Sequence, residues 1–393
     1  MKRLALASAL LVLLMSSVST AATATKGPGS APVVQRIARP AAAGVAASVR
    51  VPDGALVFTG QVFPSTLAGD VHAHAASALA ATKAAVVAAG GDPARLVRLN
   101  AYAPDDAAVA PIEALIAQQF AAVPVAFSFV RTPLAVAGTR VAFEAVAQSS
   151  RPAASVEIVT GAGATLPAGG KIFISGQAER GTDLASAVKL TMAGLHRSVA
   201  HLGLKKSDIV QVKSFIQPFG DHATAQREIA ASFDGGPVPP SVIMEWVSDL
   251  YAEIEIVVSA RALPSRPEEP VTFSWLPWLT KSPRYCNVAH VAPGTPLIFI
   301  GAIDGGDAND PRTQMKVIFE RLGSVLFEAG SSYRNMAKAT YYLADPTARS
   351  LLGDVRGVYY DPARPPAASA LNMTGLGYPK RAAMVDMIAV PVK

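Results

Sequence analysis

The sequence predicts an α+β protein made of three ββαβαββ units that form a single-chain pseudo-trimer. Two observations carry this reading. Residues 54–61 (GALVFTGQ), 171–177 (KIFISGQ) and 296–301 (PLIFIG) are short apolar strands that each run into a glycine, and Gly60, Gly176 and Gly301 lie 116 and 125 residues apart. After each glycine come a turn, a long amphipathic helix, a second strand and a pair of closing strands. The period is too long for a solenoid and long enough for a small domain. One such unit has helices enough to cover one face of its sheet and would leave the other face exposed. Three units in one chain can bury those faces against one another around a pseudo-three-fold axis.

The units are assigned to residues 45–150, 151–262 and 284–393. In the first, alanine content predicts a helix over 75–89, stopped by Gly90-Gly91. The alternation of 96–102 (LVRLNAY) predicts a half-buried strand, 111–122 a second helix, and 126–132 and 140–147 the closing strands. In the second unit Leu184, Val188, Leu195, Val199 and Leu202 form one stripe on a 3.6-residue period, so 183–202 is a helix with Gly203 at its end. Residues 208–216, 223–233, 241–247 and 252–259 follow as strand, helix, strand and strand. In the third unit Asp310-Pro311 opens a helix as N-cap and first-turn proline, and Gly330 ends it. Its strands are 338–343, 368–373 and 382–390.

Residues 1–22 read as an export signal: Lys2 and Arg3, an apolar run over 4–15, then small residues up to Ala22. That run is too short to span a bilayer, which takes about 20 residues. Residues 23–44, rich in Ala, Gly and Pro, read as a flexible lead-in, and 263–283 as a connector with five prolines, Trp275 and Trp278. Cys286 is the single cysteine, so an internal disulfide and a cysteine-built zinc site are both excluded. Stability must then come from packing, for which the 51% hydrophobic content supplies material. The net charge of +6 falls to +4 without Lys2 and Arg3, and the remaining cations are scattered, a poor footprint for nucleic acid.

Ile174-Ser175-Gly176-Gln177, the helix end Leu202-Gly203, the strand 209–216 and Ala252-Glu253-Ile254-Glu255 together resemble the RidA/YjgF family of reactive-imine deaminases. The first unit repeats the pattern at Thr59-Gly60-Gln61, Ala88-Ala89-Gly90-Gly91 and 143–147, and the third at Gly301, Glu328-Ala329-Gly330 and 385–389. The resemblance implies a chorismate mutase-like fold with small-molecule clefts between units. It implies Glu253 as the catalytic acid or base. It implies Ser175, Gly176, Gln177, Thr59, Gly60, Gln61, Glu144, Tyr285, Gly301 and Asp386 as cleft residues. The family's carboxylate-binding arginine falls here on Ala126, on Pro240 or Ser241, and on Ala368, so no unit keeps it.

Other residues invite chemistry. His72 and His74 offer two metal ligands with no third in view, and Asp304, Asp307, Asn309 and Asp310 form an acidic loop without EF-hand spacing. Cys286 stands beside Tyr285 with no evident base. Glu253 and Glu255, two apart on one strand, share a face that is either a cleft floor or a solvated surface. No cofactor motif and no resident metal site is read. Three functions stay open. One is an exported, monomeric RidA-like protein binding a small metabolite between units, with imine or enamine hydrolysis as one use. Another is a non-catalytic binding or structural pseudo-trimer. The last is different chemistry on a chorismatase-like scaffold. No nucleic acid and, after signal removal, no membrane is expected as partner.

Overall fold

A computed structural model describes residues 33–40, 42–263, 269–308 and 310–393; the export signal and half of the lead-in lie outside the described residues. In chain order β1 (Gln35–Ala38), β2 (Val45–Val51) and β3 (Leu56–Thr59) lead to α1 (Val71–Ala88), β4 (Gly91–Ala103), α2 (Val109–Phe120), β5 (Val125–Arg131) and β6 (Ala142–Ser149). Next come β7 (Glu157–Val159), β8 (Gly163–Leu166), β9 (Lys171–Gln177), α3 (Leu184–His201), β10 (Ile209–Ile216), α4 (His222–Ala231), β11 (Ser241–Glu245) and β12 (Ala252–Ser259). The last third holds β13 (Val271–Ser274), β14 (Val288–Val291), β15 (Leu297–Asp304), α5 (Pro311–Glu328), β16 (Met336–Leu343), α6 (Ala348–Tyr359), β17 (Ala367–Asn372) and β18 (Ala383–Ala389).

The helices start where side chains satisfy their first N–H groups. Asp183 accepts from the Ser186 N–H in a capping box, and Asp310 accepts from the Thr313 N–H with Pro311 behind it. α1 begins four residues before the expected start because Asp70 caps it, accepting from the Ala73 N–H at 2.9 Å. Gly90, Gly203 and Gly330 follow the three long helices with φ of +84°, +77° and +71°, the left-handed turn that ends a helix and suits glycine.

Each unit's own strands form a four-stranded block: β3-β6-β4-β5, β9-β12-β10-β11 and β15-β18-β16-β17. The leading strand pairs do not join the block that follows them in sequence. β8 and β7 extend the first block, β14 and β13 the second, and β2 and β1 the third. The registers are Leu56↔Leu166, Lys171↔Val291 and Val51↔Leu297. This corrects two sequence boundaries, since β1 lies in the expected lead-in and β13 in the expected connector. The reason is in the links, residues 52–55, 167–170 and 292–296, which cross to a neighbouring block instead of turning back. Asp53 holds all three links together. It accepts from the Gly294 N–H at 2.7 Å, the Gly169 N–H at 3.1 Å and Lys171 Nζ at 2.6 Å. β2 also pairs parallel to β5 at Val45↔Val125 and Ala46↔Ala126, which makes the first and third blocks one continuous sheet.

Each block has a helix-covered core, for example Val188, Leu195, Ile229 and Ile254 in the second. Two further clusters draw on all three units. One gathers Val97, Phe173, Val210, Phe299 and Ala337, the other Tyr102, Phe215, Met244, Tyr342 and Met373. The sheet faces turned away from the helices are therefore buried against one another.

Candidate functional site

Between those two shared clusters lies a buried polar layer. β4, β10 and β16 turn alternate residues toward it, so Arg98 with Asn100, Gln211 with Lys213, and Lys338 with Thr340 face inward. β6, β12 and β18 contribute Glu144, Glu255 and Asp386. Each cation pairs with the acid of a different unit. Lys213 Nζ lies 2.8 Å from Glu144 and Lys338 Nζ 2.7 Å from Glu255, and Arg98 meets Asp386. Glu144 also accepts from Gln211 at 2.9 Å, from Asn100 at 3.0 Å and from the Tyr102 hydroxyl. Burial pushes the Glu144 pKa up, but Lys213 and Arg98 override it and hold it down at about 2. The same balance lowers Asp386, where Arg98 and Lys338 outweigh burial. Glu144 and Asp386 were expected in clefts. At 3% and 1% exposure they are sealed in this layer instead, because their strands present them to the shared interior.

The three glycine turns also sit at contacts between units. A β-carbon on Gly60 would stand 2.6 Å from the Ser241 carbonyl oxygen, and one on Gly301 would collide with the Phe127 backbone. Gln61 anchors the first contact: its N–H donates to Ser241 at 3.1 Å and its Oε1 accepts from the Ile243 N–H at 3.1 Å. Thr59 Oγ1 accepts from the Ala145 N–H at 2.9 Å. Thr59, Gly60, Gln61 and Gly301 thus seat a neighbouring strand against their own unit. The strand registers Asn100↔Ser128, Lys213↔Val242 and Thr340↔Ser369 put Phe127, Ser241 and Ala368 at the place of the family arginine. In the first unit this is one residue beyond the expected Ala126.

The Gly176 turn differs. The Glu253 carboxyl lies directly over Gly176, where a β-carbon would overlap it. The Gly176 N–H donates to Ser369 Oγ at 3.2 Å, and that hydroxyl donates to Glu255 at 2.8 Å. Burial raises the Glu253 pKa to about 7; the Ser369 hydroxyl and Arg349 oppose the rise and Glu255 adds to it. Tyr285 is raised by burial and by Glu253 and eased by Arg356, so Glu253, Tyr285 and α6 share one electrostatic neighbourhood. Ser175 Oγ and Gln177 Oε1 are buried without a hydrogen-bond partner among the described residues, while Gln177 Nε2 donates to Ser198 at 3.0 Å. In register terms Glu253 faces Phe215, and its counterparts facing Tyr102 and Tyr342 are Ala142 and Met384. Of the three contacts, the one between the second and third units carries an acid at this position.

Sequence reasoning missed Ser369, the inward cations and α6. A charge inside each of the apolar strands LVRLNAY, IVQVKSFI and MAKATYYL was the signal for the cations. For α6 it was the spacing of Ala348, Leu352 and Arg356, all on its buried side. The other candidates are occupied locally. His74 Nε2 lies 2.9 Å from the Leu67 carbonyl, and Cys286 is buried with its thiol pushed up by desolvation. Asp304 pairs with Arg381 at 3.1 Å, and Asp310 caps α5. Trp275 donates to the Tyr285 carbonyl at 3.0 Å, and Arg197 stacks on Trp278 at 4.2 Å.

No family model matches the chain. A RutC family protein of Synechocystis sp. is 35% identical over 78 residues. Over those residues the chain is similar to the RutC/YjgF family. The match spans 20% of this chain and 58% of that relative's length. Among solved structures, a YjgF-family member from Neisseria meningitidis is 18% identical, with 31% of this chain and 96% of that one covered and a TM-score of 0.24. A YjgF/YER057c/UK114-family member from Mycobacterium tuberculosis is 19% identical, covering 24% and 83% with a TM-score of 0.23. RidA from a Psychrobacter species is 20% identical, covering 24% and 80% with a TM-score of 0.22. These YjgF-fold neighbours each span about a quarter to a third of the chain.

Proposed function

We infer that this chain is an exported single-chain pseudo-trimer that binds a small molecule at the contact between its second and third units and hydrolyses a C=N bond there. Among the described residues no helix is long and apolar enough to cross a membrane. The observation that carries the reading is Glu253, an acid held over Gly176 with its pKa at about 7. A group titrating near neutrality can take and return a proton at working pH. In its ionised form Glu253 removes a proton from water as the oxygen bonds to the imine carbon and the C=N π pair moves to nitrogen. It returns that proton to nitrogen, giving a carbinolamine; it then takes the carbinolamine hydroxyl proton and passes it to the amino group, so that the C–N bond breaks, ammonia leaves and the carbonyl forms. The unpaired Ser175 hydroxyl is free to hold the substrate.

The test is ammonia release from an imine generated in situ. Acceleration by the protein that disappears in Glu253→Gln supports the reading. A ligand bound at Gly176 without turnover favours the non-catalytic alternative, for which the sealed state of Glu144 and Asp386 already speaks. Export is tested by N-terminal sequencing of the mature protein, with a start near residue 22 or 23 expected.

A further inference from the structure

We propose that a second site, between the first and third units, binds a zwitterionic amino acid with an apolar side chain. A cavity of about 430 Å³ lies there, lined by Arg39, Val45, Glu113, Ile116, Phe127 and Tyr378 among others. Its size is in the range of small-molecule sites, roughly 300–1,000 Å³. Val45, Ile116 and Phe127 give it an apolar floor, since all three belong to the buried core of the first unit.

Two charges of opposite sign stand on its walls, and neither neutralises the other. Arg39 is half-buried and donates one N–H to the Ala302 carbonyl at 2.7 Å. Burial weakens its hold on its proton, and Asp304 and Tyr378 act against that. Asp304 is already engaged by Arg381 at 3.1 Å, and among the described residues no carboxylate forms an ion pair with Arg39. Glu113 accepts from the Tyr378 hydroxyl at 2.9 Å and pairs with no cation among the described residues. A guanidinium kept from water with spare N–H groups favours a carboxylate, which it can hold as a fork. A simple carboxylic acid would bring a second negative charge toward Glu113, and a simple amine a second positive charge toward Arg39. A ligand with both charges and an apolar body satisfies both ends and covers the floor. None of these residues belongs to the Glu253 site, so the two readings stand or fall separately.

Isothermal titration of the full chain with L-leucine and L-phenylalanine is the experiment, with N-acetyl-L-leucine and L-leucinamide as the halves of the charge pattern. Leucine binds, and each analogue binds at least tenfold more weakly, as expected when one charge-assisted bond is lost. Arg39→Gln weakens leucine to the level of leucinamide, and Glu113→Gln to the level of N-acetyl-leucine. Ala117→Phe, on the cavity wall one helical turn after Glu113, fills the cavity without removing either charge, abolishes binding and guards against a folding defect in the Arg39 variant. Glu253→Gln leaves leucine affinity unchanged. The proposal is overturned if no amino acid binds at roughly 10 mM, if Ala117→Phe binds normally, or if the analogues bind as tightly as leucine.

Discussion

Glu253 and Glu255 are two residues apart on β12, and they meet different neighbours. Glu255 meets Lys338, whereas among the described residues no cation forms an ion pair with Glu253 and burial raises its pKa to about 7. The sign for stability follows. A carboxyl raised from its ordinary 4.5 stabilises the fold below that value, and the benefit is lost as pH rises through about 7. Glu253→Gln should therefore stabilise the protein at pH 8 by about 2 kcal/mol, after discounting for the side chain's partial exposure, with the gain vanishing near pH 4.5. Thermal unfolding at the two pH values checks this. The hydrolysis rate should rise through pH 7 and level off, and the variant should show no such profile. Glu144 is the mirror case. Its depressed pKa stabilises the fold above 4.5 and ceases to do so as pH falls to about 2. Lys213→Met strands Glu144 in the interior and should cost about 3–5 kcal/mol in urea unfolding, much of it recovered by adding Glu144→Met. Turnover of short 2-imino acids such as 2-iminobutanoate should stay weak. Phe127, Ser241 and Ala368 cannot form the bidentate carboxylate bond, which contributes roughly 1.5–3 kcal/mol. Ala368→Arg, on the strand beside Gly176, should raise the rate if a carboxylate anchor is what the Glu253 site lacks. That Glu253 and Glu255 share a face was legible from their spacing. Which of them stays unpaired was not, because Lys338 comes from 83 residues further along the chain.

At the scale of elements, the long helices were legible because caps and stripes are local. Asp183, Asp310 and Pro311 announce themselves in sequence, and α3 and α5 fall within a residue or two of expectation. α6 was not read, since its apolar residues are interrupted by Arg349, Asp354 and Arg356, and the last of these is buried against the Tyr341 ring at 5.0 Å. The links between leading strands and blocks were silent too. Asp53 in a four-residue link looks like an ordinary turn residue, yet it fixes Lys171, which is only 1% exposed. Asp53→Ala leaves that ammonium buried and unpaired and should cost about 3–5 kcal/mol. Lys171→Met in the same background should restore much of it, as read by the urea midpoint. A surface turn would give a change near zero in both.

For the whole molecule, the strand order matters most. Nothing in the sequence says whether β2 pairs with the strand 5 residues ahead, at Leu56, or with Leu297, and the structure pairs it with Leu297. Local pattern determines that a segment is extended, while long-range packing decides its neighbour. The proposed single-chain pseudo-trimer predicts a monomer, checked by sedimentation at several concentrations; a mass of three chains would contradict it. Removing β1 and β2 should strip the third block of its edge and leave β15 open, so the truncated chain should associate while the full chain does not. There is also a matter of timing. Val51 is synthesised about 250 residues before Leu297, its partner. At a synthesis rate of about 5–20 residues per second, the opening strands wait on the order of 10 to 50 s for a mate. The first and second blocks face the same wait on a shorter scale, each borrowing its edge from the segment made next. The fold therefore cannot be finished one unit at a time, and its last step must join the oldest part of the chain to the newest.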